Sequence, residues 1–330
     1  MTEYIWGRVE DLGSSIGTYA VMTQDIPWEL VKDRIKGNRV SVNMVDNLEK
    51  KGLERLVSEV PQVDTVIGIG GGICIDNAKY FAFRRKCAAV YIPTIVSVNA
   101  YTTSNVAMRE NGVVNHFVTL QADKVVIDFG VIQSAPKRLN TSGVGDIYSC
   151  ESALFDWELG HKTTGEWYDE QIVARSRDIV SKLISESDEI RNVTERGIKS
   201  LVNLHIETNV VQELAKGSRP ESGSEHVYFF SLEQTTGKSF LHGEAVGTGI
   251  YIARRFQASD EEKCAKIMEG LGLFYRPQDQ AIKMDEFVSA VMNMKKYASY
   301  DSYRKKLPFS ILDSVKIERD DAVALWKALE

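Results

Sequence analysis

The sequence predicts an α/β domain built on a parallel sheet, followed by an all-helical domain. In roughly the first 140 residues, short apolar runs alternate with segments of helical periodicity, which indicates βαβ units. After Pro136, segments with a 3.6-residue apolar period follow one another and contain few β-branched runs, which is typical of packed helices. We place the boundary after residue 138, so the predicted domains are residues 1–138 and 139–330.

In the first domain, apolar runs of strand length predict the strands, and the segments of helical periodicity between them predict the helices. The predicted strands are Thr18–Thr23, Arg39–Val45, Thr65–Ile69, Ala88–Ile92 and Lys124–Ile127. The predicted helices between them are residues 24–37, Asn47–Val60 and Asp76–Arg85. In the second domain, the predicted helices are Glu166–Ile190, Val193–Ala215, Glu244–Gln257, Asp260–Leu271 and Met284–Lys296.

Composition excludes several classes of protein. The chain has 330 residues, 43% of them hydrophobic, which is enough apolar material for a large core. Its net charge of −6, without a block of Lys or Arg, argues against nucleic-acid binding. No apolar run reaches the length of a membrane span, the N-terminus lacks the pattern of a signal peptide, and the four cysteines form no CxxC pair. We therefore expect a cytoplasmic globular protein.

Three consecutive glycines follow the third predicted strand. Gly70, Gly71 and Gly72 would let the backbone turn sharply and let a pyrophosphate approach the start of the next helix, where N–H groups and the helix dipole favour an anion. The spacing matches neither GxGxxG nor GxxxxGK[ST], so a simple tight turn is an equally good interpretation. Asp46, after the second strand, could bind an adenosine ribose and would favour NAD over NADP. The alternative for Asp46 is a solvated helix cap.

One carboxylate and two imidazoles stand in unusual surroundings. Asp146 follows two glycines at the start of a predicted helix, His226 ends the run SRPESGSEH, and His242 precedes a helix rich in small residues. Such a donor set suits a divalent cation with an open position that can polarise an alcohol oxygen. Helix capping or hydrogen bonding in the core is the alternative for each histidine. The other three are expected to be structural or surface residues: His116, His161 and His205.

Five motifs, in this order along the chain, carry a resemblance to a known family. They are GGGICIDNAK (70–79), PTIVSVNAYTTS (93–104), SGVGDIYSCESALFDW (142–157), SRPESGSEH (218–226) and LHGEAVGTG (241–249). Together they resemble the metal-dependent polyol dehydrogenases, the superfamily of iron-containing alcohol dehydrogenases and dehydroquinate synthases. Within it, the sn-glycerol-1-phosphate dehydrogenase branch is the most similar. The resemblance implies an N-terminal α/β nucleotide-binding domain and an all-α C-terminal domain that binds metal and substrate.

The resemblance also implies roles for individual residues. The cofactor pyrophosphate would lie on Gly70, Gly71, Gly72, Ile73 and Cys74, and the nicotinamide side would be lined by Thr94, Ser97 and Thr103. The metal would be held by Asp146, His226 and His242, which with Asn99 form the implied catalytic set. The substrate would contact Asn99, Asp146 and Phe230.

Two of these positions depart from the family pattern. Most relatives carry an Asp where this chain has Asn99, and the glycerol-1-phosphate branch carries a second His where this chain has Phe230. An Asn still forms hydrogen bonds but carries no charge, and a Phe removes a polar contact and dries its surroundings. Both changes fall on substrate positions and neither on the implied metal ligands, so we expect the chemistry to be retained. The exact substrate, glycerol-1-phosphate-like or another, stays open at this point.

The combined prediction is a metal-dependent, NAD- or NADP-linked dehydrogenase or reductase of a small polyol or polyol phosphate. Zinc is the preferred metal, with nickel or iron also compatible with the donor set. Relatives are commonly homo-oligomers, and we expect the same here. Two alternatives stay open: a sugar-phosphate cyclase on the same scaffold, as in dehydroquinate synthase, and a protein that binds NAD and metal without catalysis.

Overall fold

The structure is a computed structural model that describes residues 2–12, 16–110 and 113–330. The chain divides into two compact units, Met1–Asn140 and Thr141–Glu330. Across the described ranges, no helix combines the length and the apolar character that crossing a bilayer requires.

The first unit is organised around a parallel sheet. The described strands of this unit are β1 (Glu3–Trp6), β2 (Thr18–Thr23), β3 (Asn38–Met44), β4 (Thr65–Gly70), β5 (Ala88–Pro93), β6 (Asn105–Glu110), β7 (Val113–Val118) and β8 (Lys124–Ile127). Six of them pair in parallel in the order β1-β8-β5-β4-β2-β3. Strands β6 and β7 form a separate antiparallel pair. The predicted parallel sheet is thus confirmed. Strand β1 extends it beyond the prediction, and the unpredicted pair β6–β7 lies outside it.

In the described part of this unit, the α-helices either connect parallel strands or follow the last of them. They are α1 (Asp25–Val31), α2 (Lys50–Glu59), α3 (Gly72–Arg85), α4 (Phe129–Ser134) and α5 (Lys137–Thr141). The prediction that α3 starts at Asp76 is wrong by about one turn, because the last of the three glycines is already helical. A Cβ on Gly68 of β4 would lie 2.9 Å from Cβ of Ala78, so this glycine lets α3 lie directly on the sheet.

The core of the first unit comes from alternate strand residues. Val21, Ile67, Val90 and Val126 from four adjacent strands are buried in one cluster, together with Trp28 of α1. Because parallel strands are covered on both faces, they are nearly continuous apolar runs, which is why the sequence predicts them well.

The described residues of the second unit form helices. They are α6 (Gly143–Tyr148), α7 (Cys150–Thr164), α8 (Glu170–Ser185), α9 (Ser187–Arg191), α10 (Glu195–Ala215), α11 (Ser224–Thr236), α12 (His242–Phe256), α13 (Glu261–Gly270), α14 (Met284–Ala298), α15 (Asp301–Arg304), α16 (Ile311–Ser314) and α17 (Arg319–Leu329). The predicted all-helical character is confirmed. The prediction of one helix over Glu166–Ile190 is wrong, since α8 and α9 replace it. Helix α11 escaped prediction because residues 224–232 are all buried, which leaves no polar face to reveal a period.

Candidate active site

Three side chains from three helices of the second unit come together. Asp146 lies in α6, His226 in α11, and His242 is the first residue of α12. Oδ1 of Asp146 is 3.0 Å from Nε2 of His242 and 3.5 Å from Nε2 of His226. The three ligand atoms lie within 4.8 Å of one another. Asp146 and His226 are buried, and His242 is partly exposed, so the cluster is open on one side.

Glycines explain why these helices can approach so closely. A Cβ on Gly145 would collide with the carbonyl oxygen of Gly243, and a Cβ on Gly243 would collide with that of Ser142. A Cβ on Gly249 would likewise collide with the carbonyl oxygen of Glu225. The small residues next to the three polar side chains therefore let α6 and α11 pack backbone to backbone against α12.

His226 has a second carboxylate behind it. Its Nδ1 lies 2.9 Å from Oε1 of Glu225, a residue with no solvent exposure. Glu225 is held in turn, because Ser152 Oγ donates to its Oε2 over 2.8 Å and the backbone N–H of Gly223 donates to its Oε1. Such an outer carboxylate orients the imidazole and directs its Nε2 toward Asp146.

The electrostatics of the cluster follow from this arrangement. Burial alone would raise the pKa of Asp146, but the imidazoles of His242 and His226 hold that pKa well below its usual value. Burial alone would lower the pKa of His226, but the carboxylates of Asp146 and Glu225, one at each ring nitrogen, raise that pKa to about 10. The cluster therefore stabilises positive charge between buried carboxylates.

Two further buried acids lie near the cluster and were missed by the sequence analysis. Burial, with Asp146 adding to it, raises the pKa of Glu221 well above its usual value, and Oε1 of Glu221 has no hydrogen-bond partner in the described part of the chain. Asp156 accepts hydrogen bonds from both the backbone N–H and the hydroxyl of Ser224 and from the N–H of Ile311. The sequence signal for Glu221 is its place in the motif that ends at His226. For Asp156, no pattern reveals contacts with residues so distant in the chain.

Phe230 lies one turn after His226 on α11. The two ring centroids are 6.3 Å apart. Phe230 also stacks on Tyr297 at 5.8 Å and meets Tyr303 edge-on at 5.7 Å, while Phe229 packs edge-on against His242 at 4.5 Å. The cluster is therefore bordered by aromatic rings rather than by a further imidazole.

Among the histidines expected to be structural, His205 is completely buried. Its Nε2 lies 3.1 Å from the carbonyl oxygen of Gly143, and burial lowers its pKa. His161 stacks on Tyr168 at the end of α7. His116 lies in β7, within the first unit.

The glycine turn lies at the carboxyl edge of the sheet. Gly70 ends β4 with φ +139°, a conformation that favours glycine, and Gly71 precedes the first helical residue, Gly72. Ile73 and Cys74 complete the first turn of α3. Burial raises the pKa of the Cys74 thiol to about 12, so the side chain is neutral near pH 7.

The segment after β5 adjoins this turn. Gly70 pairs with Pro93 in the sheet, and the N–H of Thr94 donates to the carbonyl oxygen of Gly70 over 3.2 Å. Thr94, Ser97 and Thr103 are all buried. Asn99 is half-buried and begins a short 3-10 turn, Asn99–Tyr101.

Asp46 follows β3, which lies two strands from β4 at the same carboxyl edge. It is exposed, and its Oδ1 accepts a hydrogen bond from Nδ2 of Asn47 over 2.7 Å. The residue that precedes α2 is Glu49, so the alternative in which Asp46 caps that helix is wrong.

Comparisons with known proteins identify chains that are similar to this one. Residues 13–136 match the sequence model of the iron-containing alcohol dehydrogenase family. Glycerol-1-phosphate dehydrogenase [NAD(P)+] of Methanosphaerula palustris is 30% identical over 267 residues, which cover 81% of this chain and 72% of that protein. The enzyme of the same name from Thermofilum pendens is 29% identical and covers 94% of this chain and 88% of its own.

A solved structure extends the likeness to the whole fold. A probable glycerol dehydrogenase from Sinorhizobium meliloti 1021 superposes with a TM-score of 0.76 over 99% of this chain and 97% of that one, at 18% identity. The predicted resemblance, the fold class and the assignment as a dehydrogenase are confirmed by these matches. The chain belongs to the iron-containing alcohol dehydrogenase family.

Proposed function

We propose that the chain is a metal-dependent, NAD(P)-linked dehydrogenase that interconverts a three-carbon polyol phosphate and its ketone. The observation that carries this proposal is the convergence of Asp146, His226 and His242 in a chain whose curated relatives are named glycerol-1-phosphate dehydrogenase. A carboxylate with two imidazoles, open on one side, suits a catalytic divalent cation, and zinc is the metal we propose.

The chemistry of the donors supports this assignment. Oδ1 of Asp146 and Nε2 of each histidine would hold the cation, and Glu225 keeps Nδ1 of His226 from competing for it. A cation bound there supplies Lewis-acid polarisation of the substrate oxygen. Phe229 and Phe230 exclude water next to the donors, which strengthens electrostatic interactions in the site.

The first unit would bind the dinucleotide. We propose that Gly70–Cys74 hold the pyrophosphate, that Thr94, Ser97 and Thr103 lie on the nicotinamide side, and that Asp46 binds the adenosine ribose. The turn before α3, which is a 14-residue helix, offers backbone N–H groups to an anion. The exposed carboxylate of Asp46 would repel a 2′-phosphate, so we propose a preference for NADH over NADPH.

Asn99 and Phe230 are proposed as substrate contacts. Asn99 offers an uncharged amide, and Phe230 offers an aromatic surface that is 4% exposed. Phe230, whose ring lies next to that of His226, favours a substrate whose part near the cluster is small and uncharged, with the phosphate elsewhere.

The test is NADH oxidation with dihydroxyacetone phosphate, followed by absorbance, on protein treated with a chelator and then supplied with zinc. We expect oxidation that needs both the metal and the ketone, and a lower rate with NADPH. No oxidation by zinc-loaded protein that binds NADH would refute the proposed substrate, and a wider carbonyl panel would then identify the class.

A second experiment separates catalysis from the alternatives. His242→Ala should abolish zinc binding and turnover together, whereas His161→Ala, at a residue outside the cluster, should preserve both. A cyclase regenerates its NAD within each turnover, so NADH consumption in proportion to product would exclude that alternative. A cytoplasmic location and a homo-oligomer stay predictions.

A further inference from the structure

Helix α3 carries a buried ion pair that is separate from the glycine turn at its start. Lys79 has a fully buried side chain, and its Nζ lies 2.8 Å from Oδ1 of Asp76, one turn earlier on the same helix. Taking two charges out of water is costly, and an apolar pair of similar volume is often at least as stable. An ion pair here therefore needs a reason other than core packing.

The remaining hydrogen bonds of this pair all reach one segment of chain. Lys79 Nζ donates to the carbonyl oxygen of Ala100 over 2.8 Å and to that of Asn105 over 2.7 Å, so all three of its protons are engaged. The other oxygen of Asp76 accepts from the N–H of Ala107 over 3.1 Å. Lys79 thus contacts the segment Asn99–Asn105 near both of its ends, and Asp76 contacts Ala107, two residues after it.

That segment contains residues with proposed roles toward both substrate and cofactor. Asn99 begins it, and its carbonyl oxygen accepts hydrogen bonds from the N–H and hydroxyl of Thr102. Near its end, Thr103 Oγ1 accepts from the N–H of Asn105 over 2.9 Å. A Cβ on Gly72 would lie 3.7 Å from Cβ of Ala100, so the start of α3 also packs against this segment.

We propose that the Asp76–Lys79 pair is a positioning element that holds the segment Asn99–Asn105 against α3 and so couples dinucleotide binding at the start of α3 to the orientation of the substrate. This inference rests on the proposed function for the roles of Asn99 and Thr103. Hydrogen bonds from an ammonium in a dry interior are strong, so they can hold the backbone between Asn99 and Ser104, which lies outside the strands. Because the pair touches neither the glycines nor Asp46, its loss should disturb substrate orientation more than NADH binding.

The test uses the double variant Asp76→Asn/Lys79→Met. It removes both charges, so no buried charge is left without a partner, and Asn at position 76 can still accept from Ala107. We expect kcat for ketone reduction to fall about 100-fold, as misplacement of a reacting group by about 1 Å does, while the dissociation constant of NADH changes less than about threefold. Amide hydrogen exchange in residues 99–107 should become faster.

Val126→Ala is the matched control, since Val126 is fully buried in the core of the same unit but makes none of these contacts. It should lower the melting temperature and leave kcat unchanged. An unchanged kcat in the double variant would overturn the inference. So would a loss of kcat in both the double variant and Val126→Ala that is proportional to the loss of thermal stability in each.

Hydrogen exchange keeps this test independent of the proposed substrate. If the wild-type protein reduces no carbonyl compound, the proposed function fails, and the positioning role is then decided by NADH alone. Saturating NADH should slow exchange in residues 99–107 of the wild type but not in the double variant, which still binds NADH. Equal protection by NADH in both proteins would refute the coupling.

Discussion

Replacing Glu225 with glutamine is expected to weaken zinc binding by about tenfold, which is about 1.4 kcal/mol. The glutamine can keep the geometry of the site. Its single oxygen can occupy the place of Oε1, which accepts from Gly223 and faces Nδ1 of His226. Its amide would face the hydroxyl of Ser152, which can turn to donate to the carbonyl oxygen of Ser149, 3.2 Å away. The substitution therefore removes the charge and little else.

Replacing the same residue with leucine removes the hydrogen bonds as well. Nδ1 of His226, the hydroxyl of Ser152 and the N–H of Gly223 would all lose an acceptor, so the imidazole would no longer be held in one orientation. We expect zinc affinity to fall by about 100-fold, the upper end of the range for the loss of an outer-shell partner. The difference between the two variants separates the charge of Glu225 from its positioning role.

The assay is competition for zinc with a chromophoric chelator, at one pH and without substrate. Glu170→Gln, an exposed acid in the first turn of α8, is the control and should bind zinc as the wild type does. Circular dichroism of each metal-free variant establishes that it is folded. Zinc affinities that are equal in the wild type and both Glu225 variants would show that the second carboxylate has no part in metal binding.

Two further predictions concern stability. Gly70→Ala should cost about 1–3 kcal/mol and weaken NADH binding, because φ is +139° there and the new Cβ would lie 2.6 Å from Sγ of Cys74. Gly217→Ala, where a Cβ meets nothing within 4 Å among the described residues, is the control for urea unfolding, and equal losses in the two variants would contradict the argument. Burial raises the pKa of Asp156 from 3.8 to about 6, so the folded state holds this proton more tightly than the unfolded chain. Protonated Asp156 therefore adds about 3 kcal/mol to the free energy of unfolding relative to high pH. This contribution is complete below about pH 4 and is lost as the pH rises through about 6. Urea unfolding between about pH 4 and pH 7 should show that the free energy of unfolding falls with rising pH in the wild type but not in Asp156→Asn. If this free energy varies with pH in the same way in both proteins, the proposed burial effect is excluded.

How well the sequence predicted a strand or helix depended largely on how its residues are buried. Strands such as Thr65–Gly70, buried on both faces, are continuous apolar runs and were predicted nearly to the residue. Strand β1 at the sheet edge has four residues, none of them fully buried, and β6 and β7 are buried at single positions such as Val106, Met108 and Val114. None of these strands is a continuous apolar run. Helix α11 was not predicted, because burial on all sides removes the polar face that reveals a helical period.

The sequence by itself determined the candidate metal ligands and the local turns of this protein. Asp146, His226 and His242 could be chosen as a set because glycines and small residues accompany two of them and a family motif accompanies the third. The glycine turn before α3 was equally visible, because the backbone conformation at Gly70 depends on that residue's own lack of a Cβ.

Only the tertiary structure decided which side chains support these groups. Glu225 follows from the motif only as a neighbour of His226, and its role appears when Ser152, far away in the chain, donates to it. In the sequence, Lys79 does not differ from other charged residues of predicted helices. Only the structure shows that its ammonium donates to the carbonyl oxygens of Ala100 and Asn105. Periodicity and spacing report which face of an element is buried, but the partner of a buried polar group depends on where helices cross. Those crossings are set by packing between residues that the linear sequence keeps far apart.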